Sequence, residues 1–120
     1  MADILVIEDE QLIARLLKET LEMEGYQVAV VLNGKDAIPF ALHEMPHLII
    51  VDVMLPIMDG YEATRRIRSN PDNKSIPIIA ITSYALSGDE GKALAAGCDA
   101  YVAKPYSPRQ LLAKIREYLQ

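Results

Sequence analysis

Apolar and polar positions along this chain alternate between two rhythms. Short continuous apolar runs recur at Ile4–Ile7, Tyr26–Leu32, Leu48–Val51, Ile76–Thr82 and Ala100–Ala103. They are strand-sized, and their unbroken character fits strands buried on both faces of a parallel sheet. Between them lie stretches of helical spacing. Leu12, Ile13, Leu16, Leu17, Thr20 and Leu21 form one apolar face, and Gly25 is placed to end that helix in a left-handed conformation. Asn33-Gly34 marks a turn, with Asn33 as N-cap of a helix from about Lys35 to Glu44. Pro39 inside it lacks a backbone donor and is expected to kink or shorten it. Pro56 and Asp59-Gly60 mark a loop. Tyr61–Ser69 then reads as a helix with Ala63 and Ile67 inward and Arg65, Arg66 and Arg68 toward water. Asn70–Ser75 is a polar loop. Leu86–Ala96 reads as a weak helix, because Gly88 and Gly91 each cost about 1 kcal/mol relative to Ala. Ser107-Pro108-Arg109-Gln110 reads as N-cap, proline at N1 and capping-box Gln at N3, opening a last helix with Leu111, Leu112, Ile115 and Leu119 on its apolar face.

Five strand–helix units in succession predict an α/β sandwich around a five-stranded parallel sheet. Right-handed crossovers and short connections favour the doubly wound order 2-1-3-4-5, with its switch point between strands one and three. A length of 120 residues, 51% hydrophobic, suits one domain spanning 1–120. No apolar run approaches the ~18 residues of a membrane span. Met1-Ala2-Asp3 leads into the first strand without a basic segment, so no signal peptide is visible and a cytoplasmic location is expected. The single cysteine, Cys98, excludes a disulfide framework and a multi-cysteine zinc site. A net charge of −5 argues against direct nucleic-acid binding.

In this topology ligands bind outside the carboxyl ends of the strands, at the switch point. Strand one ends at Glu8-Asp9, strand three at Asp52, strand four at Thr82-Ser83 and strand five at Lys104-Pro105. Three carboxylates should therefore converge, with Thr82 and Lys104 on the same rim. Clustered carboxylates repel and need a cation, and oxygen ligands without His or Cys suit Mg²⁺, with Mn²⁺ able to substitute. An aspartate beside Mg²⁺ and a lysine can attack phosphorus and form an aspartyl phosphate. Mg²⁺ and Lys104 would neutralise phosphoryl charge, and the Thr82 hydroxyl could bond a phosphoryl oxygen. Each member alone has a plainer reading: Glu8-Asp9 as helix-capping acids, Asp52 as a turn residue, Lys104 as a solvated lysine, Thr82 as a strand end. Their arrival on one rim of one sheet is what argues for a site.

At these residues the sequence resembles the receiver domain of two-component response regulators, the CheY-like superfamily. The resemblance rests on Ile4–Glu10, Val51–Gly60, Ile81-Thr82 and Tyr101–Pro105, in order, over nearly the whole chain. Within that family the stretch from Gly88 through Tyr101 is most similar to single-domain regulators of the DivK type. The resemblance implies that Asp52 is the phosphoacceptor, served by a histidine kinase or a histidine phosphotransfer protein. It implies that Glu8, Asp9, Asp52 and the Met54 carbonyl hold Mg²⁺, and that Thr82 and Lys104 contact the phosphoryl group. Tyr101 is implied as the switch aromatic and Lys104-Pro105 as a cis peptide. Phosphorylation would bias two pre-existing conformations, read by a downstream protein at the face made by helix four, strand five and helix five. Slow autodephosphorylation, self-phosphorylation from small donors, and a monomer or weak phosphorylation-dependent dimer are expected rather than classical enzymatic turnover. Glu8 stands where Asp is commoner and Ser83 where Ala is usual. Met54 and Tyr84 occupy positions that tune phosphoryl lifetime in the family.

The chain ends directly after helix five, so a module without its own effector is expected; the alternative is a receiver cut from a longer response regulator or hybrid histidine kinase. A flavodoxin-like electron carrier would share the topology, but it expects a hydroxyl-rich loop after strand one and stacking aromatics, where this chain has acids and no Trp. An aspartate-nucleophile phosphatase expects its nucleophile after strand one and a cap insertion. Cys98 reads as a small buried hydrophobe before strand five. His43 and His47 are separated by Pro46, which interrupts any helix carrying both. The three arginines near residue 66 read as a solvated face or a contact for an acidic partner, and Met54 and Met58 flank the site as loop packing or partner contacts.

Overall fold

The five apolar runs form five parallel strands, β1 (Ile4–Ile7), β2 (Val28–Val31), β3 (Leu48–Asp52), β4 (Ile78–Thr82) and β5 (Ala100–Ala103). In this computed structural model, which describes residues 2–82 and 89–119, they lie in the order β2-β1-β3-β4-β5. The helices are α1 (Gln11–Met23), α2 (Gly34–Glu44), α3 (Gly60–Arg68), α4 (Asp89–Ala96) and α5 (Pro108–Arg116). The fold is the doubly wound α/β sandwich that the alternation predicts. The readings of Ser83, Tyr84 and the first turn of the fourth helix fall outside the described residues.

Strand pleating explains the unbroken apolar runs. Leu5, Ile7, Ile49, Val51, Ile78 and Ala80 face one side, where they meet Ala37 and Ala41 of α2, Ile67 of α3 and Ala93 of α4. Ile4, Val6, Leu48, Ile50, Ile79 and Ile81 face the other, against Leu17 and Leu21 of α1 and Leu111, Leu112 and Ile115 of α5. Both faces are covered, so no strand position can be polar until the strand ends. The ends of the central strands are therefore where charge can first appear.

Capping chemistry sets the helix limits. Gly25, at φ +95°, closes α1: its N–H bonds the Glu22 carbonyl at 3.0 Å and the Tyr26 N–H bonds that of Leu21 at 3.3 Å, the paired bonds of a Schellman ending. Asn33 caps α2 by accepting from the Asp36 N–H at 2.7 Å. Ser107 and Gln110 form a reciprocal capping box at α5.

Three expectations are corrected. Pro39 does not shorten α2, which runs unbroken past it. Its missing donor would have served the carbonyl of Lys35, and both residues lie on the exposed side, where water can take the bond. Leu12 and Leu16, assigned to the apolar face of α1, are 68% and 54% exposed; Ala14, Leu17 and Leu21 do the burying. Arg68 does not share the solvated face of Arg65 and Arg66. Its side chain, only 16% exposed, reaches across the base of the sheet. Nε donates to the Gly97 carbonyl at 2.9 Å, Nη1 to the carbonyls of Asn73 and Ile76, and Nη2 to Asp99 Oδ2 at 2.7 Å. Asp99 Oδ2 also accepts from the Ile78 N–H.

Candidate functional site

Hydrophobic register delivers the acids to one place. β1 and β3 are neighbours, with Ile7 opposite Val51, so Glu8 and Asp52 follow at the same level. One ligand oxygen from each of Glu8, Asp9 and Asp52 lies within 4.8 Å of the others. Glu8 is 1% exposed; Oε2 accepts from the Glu10 N–H at 3.2 Å, whereas Oε1 has no hydrogen-bond partner. Burial first, then the neighbouring carboxyl of Asp52, pushes Glu8 up to about 8. A buried acceptor without a donor among clustered acids is costly alone and is relieved by a cation.

Asp52 ends β3 at 4% exposure. Oδ1 accepts from the Met54 N–H at 2.9 Å, and Oδ2 lies 3.0 Å from Lys104 Nζ, which reaches over from beyond β5. The Lys104–Pro105 peptide is cis. The Lys104 N–H donates to the Thr82 carbonyl at 2.7 Å, tying that loop to the end of β4. Thr82 is fully buried, and its Oγ1 has no hydrogen-bond partner. Tyr101 lies on β5 opposite Ala80, half-buried against the α2–α4 core. Thus Glu8, Asp9, Asp52 and Lys104 are brought together, with Thr82 on the adjoining strand end. Met54 reaches Asp52 through its backbone while its side chain points to solvent, 61% exposed.

Gly60, at the start of α3, lets the helix meet the end of β3. A Cβ there would lie 2.5 Å from the Asp52 carbonyl oxygen and 2.7 Å from Val53 Cα. Tyr106 was not singled out by the sequence reasoning, although it directly follows Lys104-Pro105. It is half-buried between α1 and α5, and burial first, then the charges of Glu8 and Asp52, raise its phenol. Cys98 is buried, its thiol facing Thr64 Oγ1, and burial pushes it up.

The donor set is all oxygen with one lysine opposite, which suits a hard divalent cation such as Mg²⁺ better than zinc or copper. Comparison with known proteins agrees. The family model for the response regulator receiver domain matches residues 4–116. The chain is similar to the polar-differentiation response regulator DivK of Brucella anthropi, 34% identical over 97% of this chain and 94% of that protein. DivK of Brucella ovis is 33% identical over the same shares. Among solved structures, the chemotaxis protein CheY4 of Vibrio cholerae superimposes with a TM-score of 0.92 at 28% identity, covering 99% of both chains. The receiver domain of sensor histidine kinase PA1611 from Pseudomonas aeruginosa superimposes with a TM-score of 0.90 at 35% identity, covering 98% of this chain and 96% of that one. Its structure is described with a magnesium ion coordinated in the active-site cleft.

Proposed function

The chain belongs to the response regulator receiver family, and on that footing we propose that Asp52 accepts a phosphoryl group from a phosphohistidine protein. The observation that carries this reading is the carboxylate at the end of β3, with Lys104 Nζ at 3.0 Å and oxygens of Glu8 and Asp9 within 4.8 Å. An Asp52 oxygen attacks phosphorus, the P–O bond forms as the P–N bond to the donor imidazole breaks, and the imidazole leaves with the electron pair. Glu8, Asp9, Asp52 and the Met54 carbonyl would hold Mg²⁺ or Mn²⁺, which supplies charge neutralisation at the phosphoryl oxygens. Lys104 neutralises from the opposite side. The unpartnered Thr82 hydroxyl donates to a phosphoryl oxygen, and that draw on Thr82 lets Tyr101 turn inward. The face of α4, β5 and α5 then presents its second state to a downstream protein, as a monomer or a weak dimer formed on phosphorylation. This is stoichiometric phospho-acceptance followed by slow loss, not enzymatic turnover, and a cytoplasmic setting matches a phosphohistidine donor.

The test is intact mass after incubation with Mg²⁺ and acetyl phosphate, beside Asp52→Asn. A labile, Mg²⁺-dependent gain of about 80 Da, absent from the variant, is expected. No gain, together with an NMR spectrum that beryllofluoride leaves unchanged, overturns the reading. A second setting, a receiver within a hybrid kinase, is favoured by structural neighbours that are receiver domains of histidine kinases, at 35% and 36% identity. The intact mass of the native gene product decides between the two.

A further inference from the structure

Asn33 is followed by the residue type that most readily attacks its amide. Asn33-Gly34 is the only Asn-Gly pair in the chain. Glycine has no Cβ to shield its backbone nitrogen, and asparagine is among the thermolabile side chains. In an open chain the Gly34 nitrogen gives up its proton and bonds Asn33 Cγ. The Cγ–Nδ2 bond breaks, ammonia leaves, and a five-membered succinimide remains. Water then opens the ring at either carbonyl. One opening gives aspartate. The other gives isoaspartate, with the main chain routed through Cβ and Cγ.

The fold opposes ring closure at two points. Both ends of the Asn33 amide are held by one residue: Oδ1 accepts from the Asp36 N–H at 2.7 Å, and Nδ2 donates to Asp36 Oδ2 at 3.0 Å. Those bonds aim the amide along the first turn of α2, and closure onto the Gly34 nitrogen must break them. Gly34 itself is buried, and a Cβ added there would lie 3.1 Å from the Met58 carbonyl oxygen and 3.2 Å from Ala63 Cβ. The peptide between the two residues has no room to rotate while α2 is docked. Asn33 is only half-buried, and Lys35 and Asp36 are exposed, so water reaches the turn once it opens. Helix ends open at far lower cost than a core. We propose that Asn33 is a modification site of this protein, converted through the succinimide when the first turn of α2 opens locally, and that Asp36 is the latch that sets how often it opens. The isoaspartate product lengthens the main chain directly before Gly34, against Met58, so it cannot restore the cap.

The test follows residue 33 by peptide mapping of the full chain held at mildly alkaline pH, reading a gain of about 1 Da and the isoaspartate fragment ions. The folded chain should convert about tenfold or more slowly than the same chain in urea. Asp36→Ala removes one of the two bonds and should speed the folded chain about threefold. Asp36→Pro removes both, because proline lacks the N–H as well, and should speed it about tenfold. Ile50→Ala weakens the whole core without touching the turn, and should leave the rate within about twofold of the wild type. The isoaspartate form, separated by chromatography, should melt a few degrees below its parent. Equal rates folded and in urea, or Asp36 variants no faster than the wild type, overturn the proposal. So does Ile50→Ala converting as fast as Asp36→Pro, since global unfolding would then be the gate. An isoaspartate form that melts with its parent overturns it as well.

Discussion

At neutral pH Glu8 retains a proton that an exposed glutamate would have released. Its carboxyl sits at about 8 in the fold, against an ordinary 4.5, chiefly through burial. A folded-state value above the unfolded one means that the native chain holds a proton the unfolded chain gives up. For this group the stabilisation is complete below about pH 4.5 and is lost as pH climbs through 8. Glu8→Gln removes that dependence, so its urea midpoint should gain on the metal-free wild type between pH 5 and pH 8. If Glu8 is a ligand, as proposed, cation binding requires its carboxylate and must expel the proton. The dissociation constant for Mg²⁺ should therefore fall about tenfold per pH unit up to roughly pH 8 and level beyond it. Calorimetry in two buffers of different ionisation heat should count about one proton released at pH 7 and none at pH 9.5. The presence of a carboxyl at position 8 was legible from its place at a strand end. Its proton was not, because that depends on how completely neighbouring loops close over Oε1.

Arg68 shows where element-scale reading fails. Helical spacing put it beside Arg65 and Arg66, and those two do stay on the surface, paired with Glu62. Arg68 differs because it is the last residue of α3, where the chain turns and the side chain can pass beneath the sheet toward Asp99, a partner 31 residues away. No local pattern encodes that distance. One guanidinium there satisfies three carbonyls in two connections, α3–β4 and α4–β5, and a carboxylate, and hydrogen bonds to charged groups contribute about 1.5–3 kcal/mol each. Arg68→Met should lower stability by about 3 kcal/mol in urea titration, and Arg68→Lys should recover little, since an ammonium cannot reproduce the planar fork. Pro39 and Leu12 were misread for a related reason. Backbone propensity and apolar spacing describe a helix alone, whereas solvent access to Lys35 and the width of the α1 contact belong to its surroundings.

Across the whole molecule, the order of strands and the place of the site follow from one physical pattern. Runs such as Leu48–Val51 have no polar position, so both faces had to be covered, and a doubly covered parallel sheet gathers its strand ends at one edge. Ile50 lies wholly buried among α1 and α5 side chains, and Ile50→Ala should cost about 2–5 kcal/mol, read from the urea midpoint. Mg²⁺ held at the strand ends, as proposed, would act on the same balance from outside the core. At a hundred times its dissociation constant it should add about 2.7 kcal/mol to unfolding, an increment absent from Asp52→Asn if that carboxylate is a ligand. The loop details stayed out of reach of the pattern. The position of Tyr106 depends on the path between β5 and α5, where the chain has no periodicity to read.

The contact beneath Gly60 carries a consequence for how the sequence can diverge. Any side chain at position 60 collides with backbone atoms of Asp52 and Val53, which no rotamer change can move aside. In a saturation library sorted only for soluble, protease-resistant protein, position 60 should lose nearly every substitution, whereas position 52 should keep Asn, Ser and Ala. Sorted for signalling, both should be empty. If Asp52 is the phosphoacceptor, as proposed, a descendant that had given up phosphorylation could drift at residue 52 while keeping its glycine eight residues later, and that asymmetry would mark it as a former phosphoacceptor.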